Sequence, residues 1–370
     1  MARRSPLSPT LSPEYREEGV KSRATCHSPH CDIPRRSRTF ITATMRVIVL
    51  MNPNAGIKPA EQTRQADELR AIFSEAGVDA DVHQLHPDEL FDAARRAADD
   101  ATIDAVVAAG GDGTVSTVAS ALAGTNKPLG VLPRGTLNHF AKDLGIPLAL
   151  RDAAAVIAQQ NVRCVDLGEV NKRTFINNSS IGLYPHIVRE RDDLRQRLGG
   201  NKWIAMLIAA LRVFRRHPTV RVRIGVEDQS VLRTTPFVFV GNNRYEINGI
   251  NLGRRQRLDA GELSLYFANR TGRFGLLRLA VRALFGRLEQ AKDFDAMSVT
   301  ELWIETPRKG LRVALDGEVT RLAPPLHYRI RTAALRVIAP ESKSDSPSPA
   351  PSRAQSAGQS SAAATPSRTP

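Results

Sequence analysis

One glycine-rich turn has the composition of a phosphate site: AAGGDGTVST, residues 108–117. An apolar run, residues 104–109, precedes it, and a helix-like segment, residues 115–122, follows it. A strand that passes through glycines into a helix presents free N–H groups and the positive helix end to an anion. Asp112 would repel phosphate unless a cation such as Mg²⁺ lay between them. The turn therefore indicates a nucleoside triphosphate and Mg²⁺ site; the simpler alternative is a turn in which Asp112 caps the helix.

A second motif that could do chemistry is Asp316-Gly317-Glu318. Asp-Gly favours the two-residue type I′ turn of a β-hairpin, which is its simplest interpretation. A carboxylate at the end of such a turn can also take a proton from a hydroxyl, provided that it reaches the hydroxyl. Both interpretations can hold together, because a turn can aim a side chain into a cleft.

The elements that would position the first motif alternate between strand and helix from Met45 onward. The pattern predicts strands at 45–50, 79–85, 104–109 and 129–132, and helices around 59–76, 87–98, 115–122 and 149–159. Such alternation is typical of a parallel sheet that binds ligands at the carboxyl ends of its strands. The loops NPNAG (52–56), GGDGT (110–114) and PRGTLN (133–138) follow strands, so we expect them to converge on one crevice.

The pattern changes after residue 160, where long β-rich runs replace the alternation. Turns that contain Gly-Asn, Asp-Ala-Gly or Asp-Gly separate many of these runs, which favours an antiparallel sheet. The predicted runs are 173–181, 219–226, 233–240, 263–268, 298–305, 311–315 and 335–338, with helices at 185–198, 202–216 and 274–288.

These patterns divide the chain into a nucleotide-binding α/β domain at 45–164 and a mainly β domain at 165–320. Strands at 321–340 are candidates to return to the first domain. The segments 1–44 and 341–370 are rich in Ser and Pro without periodicity, so we expect them to be disordered. Met45 opens a clean strand and is a candidate start, which leaves open whether residues 1–44 are translated.

The charge is distributed unevenly along the chain, whose net charge is +14. Residues 45–164 carry 11 basic against 15 acidic side chains, whereas residues 165–340 carry 30 against 17. A basic second domain suggests an anionic surface as partner, either membrane or nucleic acid. The 3 cysteines make no disulfide framework, which suits a reducing compartment.

The motifs NPNAG, GGDGT and LPRGTLNHFAKDLGIP, with GNN (241–243) and DGE (316–318) after them, occur in a fixed order. This series resembles the diacylglycerol kinase catalytic family, particularly its bacterial lipid-kinase branch, which is related to sphingosine kinases. The resemblance covers roughly residues 45–340. GGDGT alone is shared with NAD kinases, whereas its combination with PxGTxN and a distant DGE is specific. The resemblance implies a Rossmann-like nucleotide-binding domain followed by a β-sandwich-like domain, with the active site in the cleft between them.

The resemblance also implies roles for particular residues. Asp112 would engage the Mg²⁺-nucleotide, and Glu318 would be the general base that takes the proton from a lipid hydroxyl. The positions expected to hold ATP are Asn52, Gly110, Gly111, Asp112, Gly113, Thr114, Val115, Ser116, Thr136 and Asn138.

Three departures from the family pattern affect this assignment. Ser116-Thr117 stands where Asn-Glu often follows GGDGT, and His139 stands where Asp often follows PxGTxN. Family members often hold a structural Mg²⁺ near Asp-Asp-Gly-Leu, but here the segment reads Asp259-Ala260-Gly261-Glu262. One carboxylate of that pattern is lost, and Asp259 or Glu262 is a candidate to take its place.

Three stretches could meet a lipid. Residues 274–285 form a basic amphipathic pattern that suits a membrane interface, although a helix packed on the sheet with a solvated Arg face is the alternative. Residues 203–208 are apolar nearly all round and are either core or an acyl-chain groove. The cluster Arg254–Arg257 is most simply a solvated loop, with contact to anionic lipid as the alternative.

The sequence thus predicts an ATP- and Mg²⁺-dependent lipid kinase, cytoplasmic and peripheral on the inner membrane face, with no nucleic-acid partner. It would phosphorylate a diacylglycerol-like or related lipid. Two rivals remain: a soluble-metabolite kinase of NAD kinase type, and a non-catalytic protein that binds anionic lipid or nucleic acid. The sequence identifies neither the lipid nor the oligomeric state, for which a homodimer stays open.

Overall fold

The computed structural model describes residues 44–53, 59–183, 185, 219–226, 229–246, 254–255, 257–268 and 294–341. Several predicted segments fall outside these ranges, wholly or almost wholly. They are the two ends expected to be disordered, the helices expected at 185–198, 202–216 and 274–288, and the apolar stretch 203–208.

The first part of the chain forms a parallel sheet with the strand order β2-β1-β3-β4. Helices α1 and α5 contact each other, as do α2 and α3. Because right-handed crossovers in opposite directions lie on opposite faces of a sheet, these two pairs cover its two sides. The elements are β1 (Met45–Met51), α1 (Pro59–Glu75), β2 (Val78–Gln84), α2 (Pro87–Asp99), β3 (Ala105–Gly110), α3 (Asp112–Leu122), β4 (Leu129–Pro133), α4 (His139–Asp143) and α5 (Leu150–Ala158).

The remaining strands are largely antiparallel and belong to two sheets. They are β5 (Val162–Val170), β6 (Arg173–Phe175), β7 (Asn178–Gly182), β8 (Val220–Val226), β9 (Gln229–Thr235), β10 (Phe237–Asn242), β11 (Leu263–Ala268), β12 (Phe294–Val299), β13 (Glu301–Glu305), β14 (Leu311–Leu315), β15 (Glu318–Leu322) and β16 (Leu326–Ile338). The six-stranded sheet has the order β12-β11-β10-β7-β14-β15. The other strands extend the parallel sheet into a ten-stranded sheet.

Three strands predicted as continuous are each divided where the chain passes from one sheet to the other. The breaks fall at Ile176-Asn177, at Pro236 and at Thr300. Pro236 has no N–H to donate to a ladder, so it suits such a corner. Apolar residues continue on both sides of each break, which is why the sequence pattern did not reveal the breaks.

The two sheets of the second part enclose a core between them. Tyr328 of β16 is fully buried there, with its ring edge-on to Phe175 at a centroid distance of 6.4 Å. Its hydroxyl forms a 2.9 Å hydrogen bond with the Ser179 hydroxyl of the six-stranded sheet. Strand β16 also pairs with β13, β5 and, in parallel, β4. This strand therefore connects the second part to the parallel sheet of the first.

Among the described residues, no helix is both long and apolar enough to cross a membrane. Cys164 of β5 is disulfide-bonded. The small number of cysteines is thus no argument for a reducing compartment.

Candidate functional site

The predicted phosphate turn lies at the topological switch point of the parallel sheet. Strand β1 lies between β2 and β3, so the loops after β1 and after β3 leave the sheet in opposite directions and open a crevice there. Strand β3 ends at Gly110, Gly111 is the N-cap, and α3 begins at Asp112. The helix therefore starts earlier than the predicted residue 115, because the glycines of GGDGT mask its first turn in the pattern.

The early start of α3 places the predicted nucleotide residues in its first turns. The N–H groups of a first helical turn have no intrahelical partner, and Gly111 caps them with no side chain. Thr114 and Val115 are buried, whereas Asp112, Gly113 and Ser116 are half-buried. Backbone groups and the side chains of Asp112 and Ser116 are therefore what this turn presents to a ligand.

The PRGTLN loop touches this turn through its backbone. The Arg134 N–H donates to the Gly110 carbonyl at 2.9 Å, and a Cβ added to Gly135 would lie 2.5 Å from the Gly111 Cα. Asn138, at φ 49°, closes the loop, because its side chain accepts from the Gly135 N–H and donates to the Gly135 carbonyl, each at 2.9 Å. Only glycine at position 135 permits these two loops to approach each other so closely.

The other predicted residues of these loops flank the turn. Asn52 follows β1 directly and is half-buried, while residues 54–56 of NPNAG lie outside the described part of the chain. Arg134 donates to the Gln65 side chain of α1 at 2.9 Å and so ties the loop to the helix after β1. Thr136 is exposed at the tip of the PRGTLN loop, and Asn138 is buried. Their roles toward a nucleotide stay predictions.

The Asp112 carboxylate lies between two helices. One of its oxygens accepts a long hydrogen bond, 3.4 Å, from the Phe140 N–H at the start of α4. The residue stands in the first turn of α3 and is half-buried. A carboxylate in this place retains acceptor capacity for a cation or for the water of a hydrated cation.

The DGE motif forms the two-residue turn of the β14–β15 hairpin, as its sequence predicted. Leu315 pairs with Glu318, and the two residues between them have positive φ, 47° at Asp316 and 92° at Gly317. Positive φ at both central positions is the type I′ geometry. Glu318 is thus the first residue of β15.

This hairpin lies against the phosphate turn, although the two are 200 positions apart. The Ser116 hydroxyl donates to the Asp316 carboxylate at 2.5 Å. The Glu318 Oε1 atom lies 3.4 Å from where a Cβ would stand on Gly113. The structure therefore brings together Glu318 and the GGDGT turn, the two motifs on which the predicted chemistry depends.

Asp316 is a site residue for which sequence reasoning gave only a turn-forming role. Besides Ser116, the backbone N–H groups of Ile176, Asn177 and Asn178 donate to its carboxylate at 2.8, 2.8 and 3.0 Å. These three residues follow β6 and begin β7, at the first of the breaks between sheets. The break leaves these N–H groups free to donate to Asp316. In the sequence it lies inside the β-rich run 173–181, and the length of that run was the only signal of it.

The surroundings of the two carboxyls of the turn shift their pKa values. Burial raises the pKa of Asp316, and the hydrogen bonds from Ser116 and the three backbone N–H groups oppose that rise. Partial burial of the Glu318 carboxyl also raises its pKa, and the nearby charge of Asp316 adds to the effect. A carboxylate with a raised pKa is a stronger base, as a group that takes a proton from an alcohol requires.

The interpretation of Arg254–Arg257 as a solvated loop is wrong for Arg255. Arg255 is only 4% exposed, and its Nε donates to the Asp143 carboxylate at 2.8 Å. Composition gave no sign of this, since a run of arginines in a glycine-containing loop is usually exposed. Arg254 and Arg257 are exposed as expected.

Among the described residues, the segment around Asp259 makes an ion pair and, with other parts of the protein, hydrogen bonds. Asp259 is exposed and pairs with the Arg257 guanidinium at 3.0 Å. The N–H groups of Ala260 and Gly261 donate to the side chains of Asn243 and Asp166, at 2.9 and 2.7 Å. Within the described residues no group of 3 or more Asp, Glu, His or Cys is placed to hold a metal ion. The described surroundings of Asp259 therefore lack the ligand set of a structural metal.

Comparison with known proteins matches both halves of the chain. Residues 46–170 match the diacylglycerol kinase catalytic domain, and residues 180–339 match the YegS C-terminal NAD kinase beta sandwich-like domain. A Pseudomonas aeruginosa protein named "Probable lipid kinase YegS-like" is 32% identical over 246 residues, which are 64% of this chain and 76% of that protein. A diacylglycerol kinase of Mycobacterium tuberculosis is 28% identical over 246 residues, with shares of 64% and 77%.

Solved structures agree with this fold. Two crystal structures from Bacillus anthracis have TM-scores of 0.63 and 0.58, at 23% and 20% sequence identity. They cover 80% and 81% of this chain, and the matches span 97% and 98% of theirs. The second of them is a diacylglycerol kinase.

The parallel α/β sheet that continues into two largely antiparallel sheets, taken with these matches, defines the class of the protein as a kinase. The chain belongs to the diacylglycerol kinase catalytic-domain family, together with the YegS-like lipid kinases. The predicted family and fold class are thus confirmed.

Proposed function

We propose that this protein transfers the terminal phosphoryl group of ATP to a hydroxyl of a diacylglycerol-like or related lipid. The observation that carries the proposal is the close approach of the Glu318 carboxylate to Gly113 of the phosphate turn. A base for the hydroxyl and a turn for the phosphates must lie side by side in phosphoryl transfer, because the attacking and leaving oxygens are roughly in line.

The roles of the residues follow from their surroundings. The first-turn N–H groups of α3 and the PRGTLN backbone would hold phosphate oxygens. Asp112 would engage Mg²⁺ through the nucleotide, and the retained acceptor capacity of its carboxylate fits that role. When bound, Mg²⁺–ATP supplies the phosphoryl group and the charge neutralisation. Glu318 would accept the proton of the lipid hydroxyl, and Ser116 and Asp316 would fix the hairpin that carries it.

A lipid substrate requires the protein to work at a membrane surface, and the excess of basic residues in the second domain supports that. Residues 165–340 carry 30 Lys and Arg against 17 Asp and Glu, which favours association with an anionic leaflet. The protein would associate peripherally with the inner face of the membrane. A nucleic-acid partner is not part of the proposal.

Two alternatives make different predictions. A soluble-metabolite kinase would phosphorylate a nucleotide such as NAD and ignore vesicles. In a protein that only bound anions, a carboxylate beside the anion site would weaken anion binding, because the two negative charges repel each other. The position of Glu318 beside the phosphate turn therefore argues against a non-catalytic binding protein.

The direct experiment is incubation with radiolabelled ATP, Mg²⁺ and a total lipid extract, followed by identification of the labelled species. We expect one class of lipid with a free hydroxyl to be labelled. Label in no lipid, with NAD labelled in a parallel incubation, would replace the proposal with the NAD kinase alternative. Label in neither would contradict kinase activity on both substrate classes.

A further inference from the structure

We infer that Arg255 is a positioning residue for the proposed phosphoryl transfer: it closes a ring of hydrogen bonds that holds the Glu318 hairpin against the phosphate turn. The inference rests on the proposed function, since positioning matters only if Glu318 acts there. The Arg255 side chain is fully buried, and none of the residue roles proposed for phosphoryl transfer involves it. Its guanidinium makes more polar contacts than the ion pair with Asp143 alone.

The ring passes through the short segment Ile176–Asn178, which is held from both sides. Its three N–H groups donate to the Asp316 carboxylate. On the other side, the Asn242 side chain donates to the Ile176 carbonyl at 2.9 Å, and the Tyr245 hydroxyl donates to the Asn177 carbonyl at 3.0 Å. The position of Asp316 is therefore set by whatever holds these carbonyls.

Arg255 is the cation among the groups that hold this segment. It donates to the Ile176 carbonyl at 2.7 Å, to the Asn242 carbonyl at 3.1 Å and to the Asn177 side-chain oxygen at 2.7 Å. The guanidinium carbon lies 5.4 Å from the centre of the Tyr245 ring. The planar fork of arginine can serve several acceptors in fixed directions at once, which the ammonium of lysine cannot.

The ring returns to the phosphate turn through α4. Asp143, the last residue of α4, has a 5% exposed side chain and pairs with the fully buried Arg255 side chain. At the other end of α4, the Phe140 N–H donates to Asp112 of α3. Ser116 of α3 then donates to Asp316. The ring therefore runs from α3 through Asp316, Ile176–Asn178, Arg255 and α4, and returns to α3.

A closed ring fixes the hairpin more strictly than the single Ser116 hydrogen bond could, because the hairpin cannot turn about one contact. Opening the ring at Arg255 removes the cation from the Ile176 carbonyl and the Asn177 side chain without touching Glu318, Asp112 or the turn. We therefore expect the chemical step to slow while the nucleotide still binds.

The experiment compares wild type with the double variant Arg255→Met/Asp143→Leu. Removing both charges leaves no unpaired buried ion, and apolar replacement of a buried pair is often neutral for stability. We expect the double variant to fold, with kcat at least about tenfold lower, since misplacement of about 1 Å can cost about a hundredfold. The KM for ATP should change far less than kcat. Amide hydrogen exchange at Ile176–Asn178 should be faster in the double variant.

Arg64→Met is the control, because Arg64 lies on α1, away from the ring, and pairs with Glu61 at the surface. It should match wild type in kcat and in exchange. Arg255→Lys keeps the charge and is the deciding variant if the double variant does not fold. A wild-type kcat in Arg255→Lys would overturn the positioning role of Arg255.

A folded double variant with wild-type kcat and wild-type exchange would overturn the inference. The proposed function fails separately, when the wild-type protein itself phosphorylates no lipid. The exchange comparison then still decides whether Arg255 holds the ring.

Discussion

At the scale of single residues, the two carboxyls of one turn have different surroundings and different work. Asp316 accepts four hydrogen bonds, which occupy its carboxylate. Glu318 reaches solvent and lies beside Gly113, with no hydrogen bond to its carboxylate among the described contacts. Environment assigns roles to paired carboxyls in this way in many enzymes. Here it makes Asp316 the anchor and leaves Glu318 available as the base.

Glu318→Gln tests this assignment. The amide keeps the size of the side chain but cannot take a proton, so lipid phosphorylation should fall by about 10²–10⁴-fold. ATP binding, measured by calorimetry, should be unchanged. Glu305→Gln on β13 is the control and should retain full activity. Unchanged phosphorylation in Glu318→Gln would remove Glu318 from the mechanism.

The pH dependence tests the raised pKa of Glu318. A base acts when ionised, so kcat/KM should fall as the pH drops through the pKa of Glu318, at a pH above the ordinary range of a glutamate. Asp316→Asn removes the negative charge that helps to raise this pKa, so the acid limb should move to lower pH. The measurement is the pH profile of both proteins, with folding checked by circular dichroism. A limb that does not move would mean that the Asp316 charge has no effect on Glu318.

At the scale of elements, the site depends on loops that touch through their backbones. A Cβ on Gly135 would lie 2.5 Å from the Gly111 Cα, so neither loop can keep its place if residue 135 has a side chain. By contrast, a Cβ on Gly225 of β8 would meet no described residue closer than the Trp303 Cβ at 3.9 Å, an ordinary contact. The same substitution therefore has different consequences at the two positions.

Gly135→Ala should weaken ATP binding and lower stability by about 1–3 kcal/mol, as overpacking does. Gly225→Ala should leave ATP binding unchanged and alter stability by less than about 1 kcal/mol. Thermal unfolding and calorimetric titration with ATP check both. Equal behaviour of the two variants would contradict the close approach of the loops.

Local patterns predicted most of the described elements and the GGDGT and DGE turns, because periodicity and turn chemistry act within a few residues. They did not predict the ring, since Asp143, Asn177 and Arg255 are far apart in sequence and meet only through the break after β6. Arg255 in particular looked like a surface arginine beside Arg254 and Arg257. A buried ion pair leaves no local pattern, because the partner that makes burial tolerable lies elsewhere in the chain.

At the scale of the whole molecule, the positive charge is concentrated in one part of the chain. The excess of basic residues falls in 165–340, while residues 45–164 are slightly acidic. We therefore expect binding to vesicles that contain an anionic lipid and weak binding to neutral ones. Raising the salt from about 0.15 M to about 1 M shortens the Debye length from about 8 to about 3 Å and should release the protein. Co-sedimentation measures this, and binding that ignores both lipid charge and salt would contradict electrostatic association.

Strand β16 lies in the middle of the ten-stranded sheet, between β4 and β13, although it follows all the other described strands in the chain. During synthesis, the edge of β4 therefore stays without its neighbour until residue 338 has left the ribosome. While about two hundred further residues are synthesised, the nascent α/β sheet keeps an open edge, and an open edge is prone to pair with other chains. A fragment that stops before residue 326 should consequently need a chaperone or precipitate, rather than behave as an independent nucleotide-binding domain.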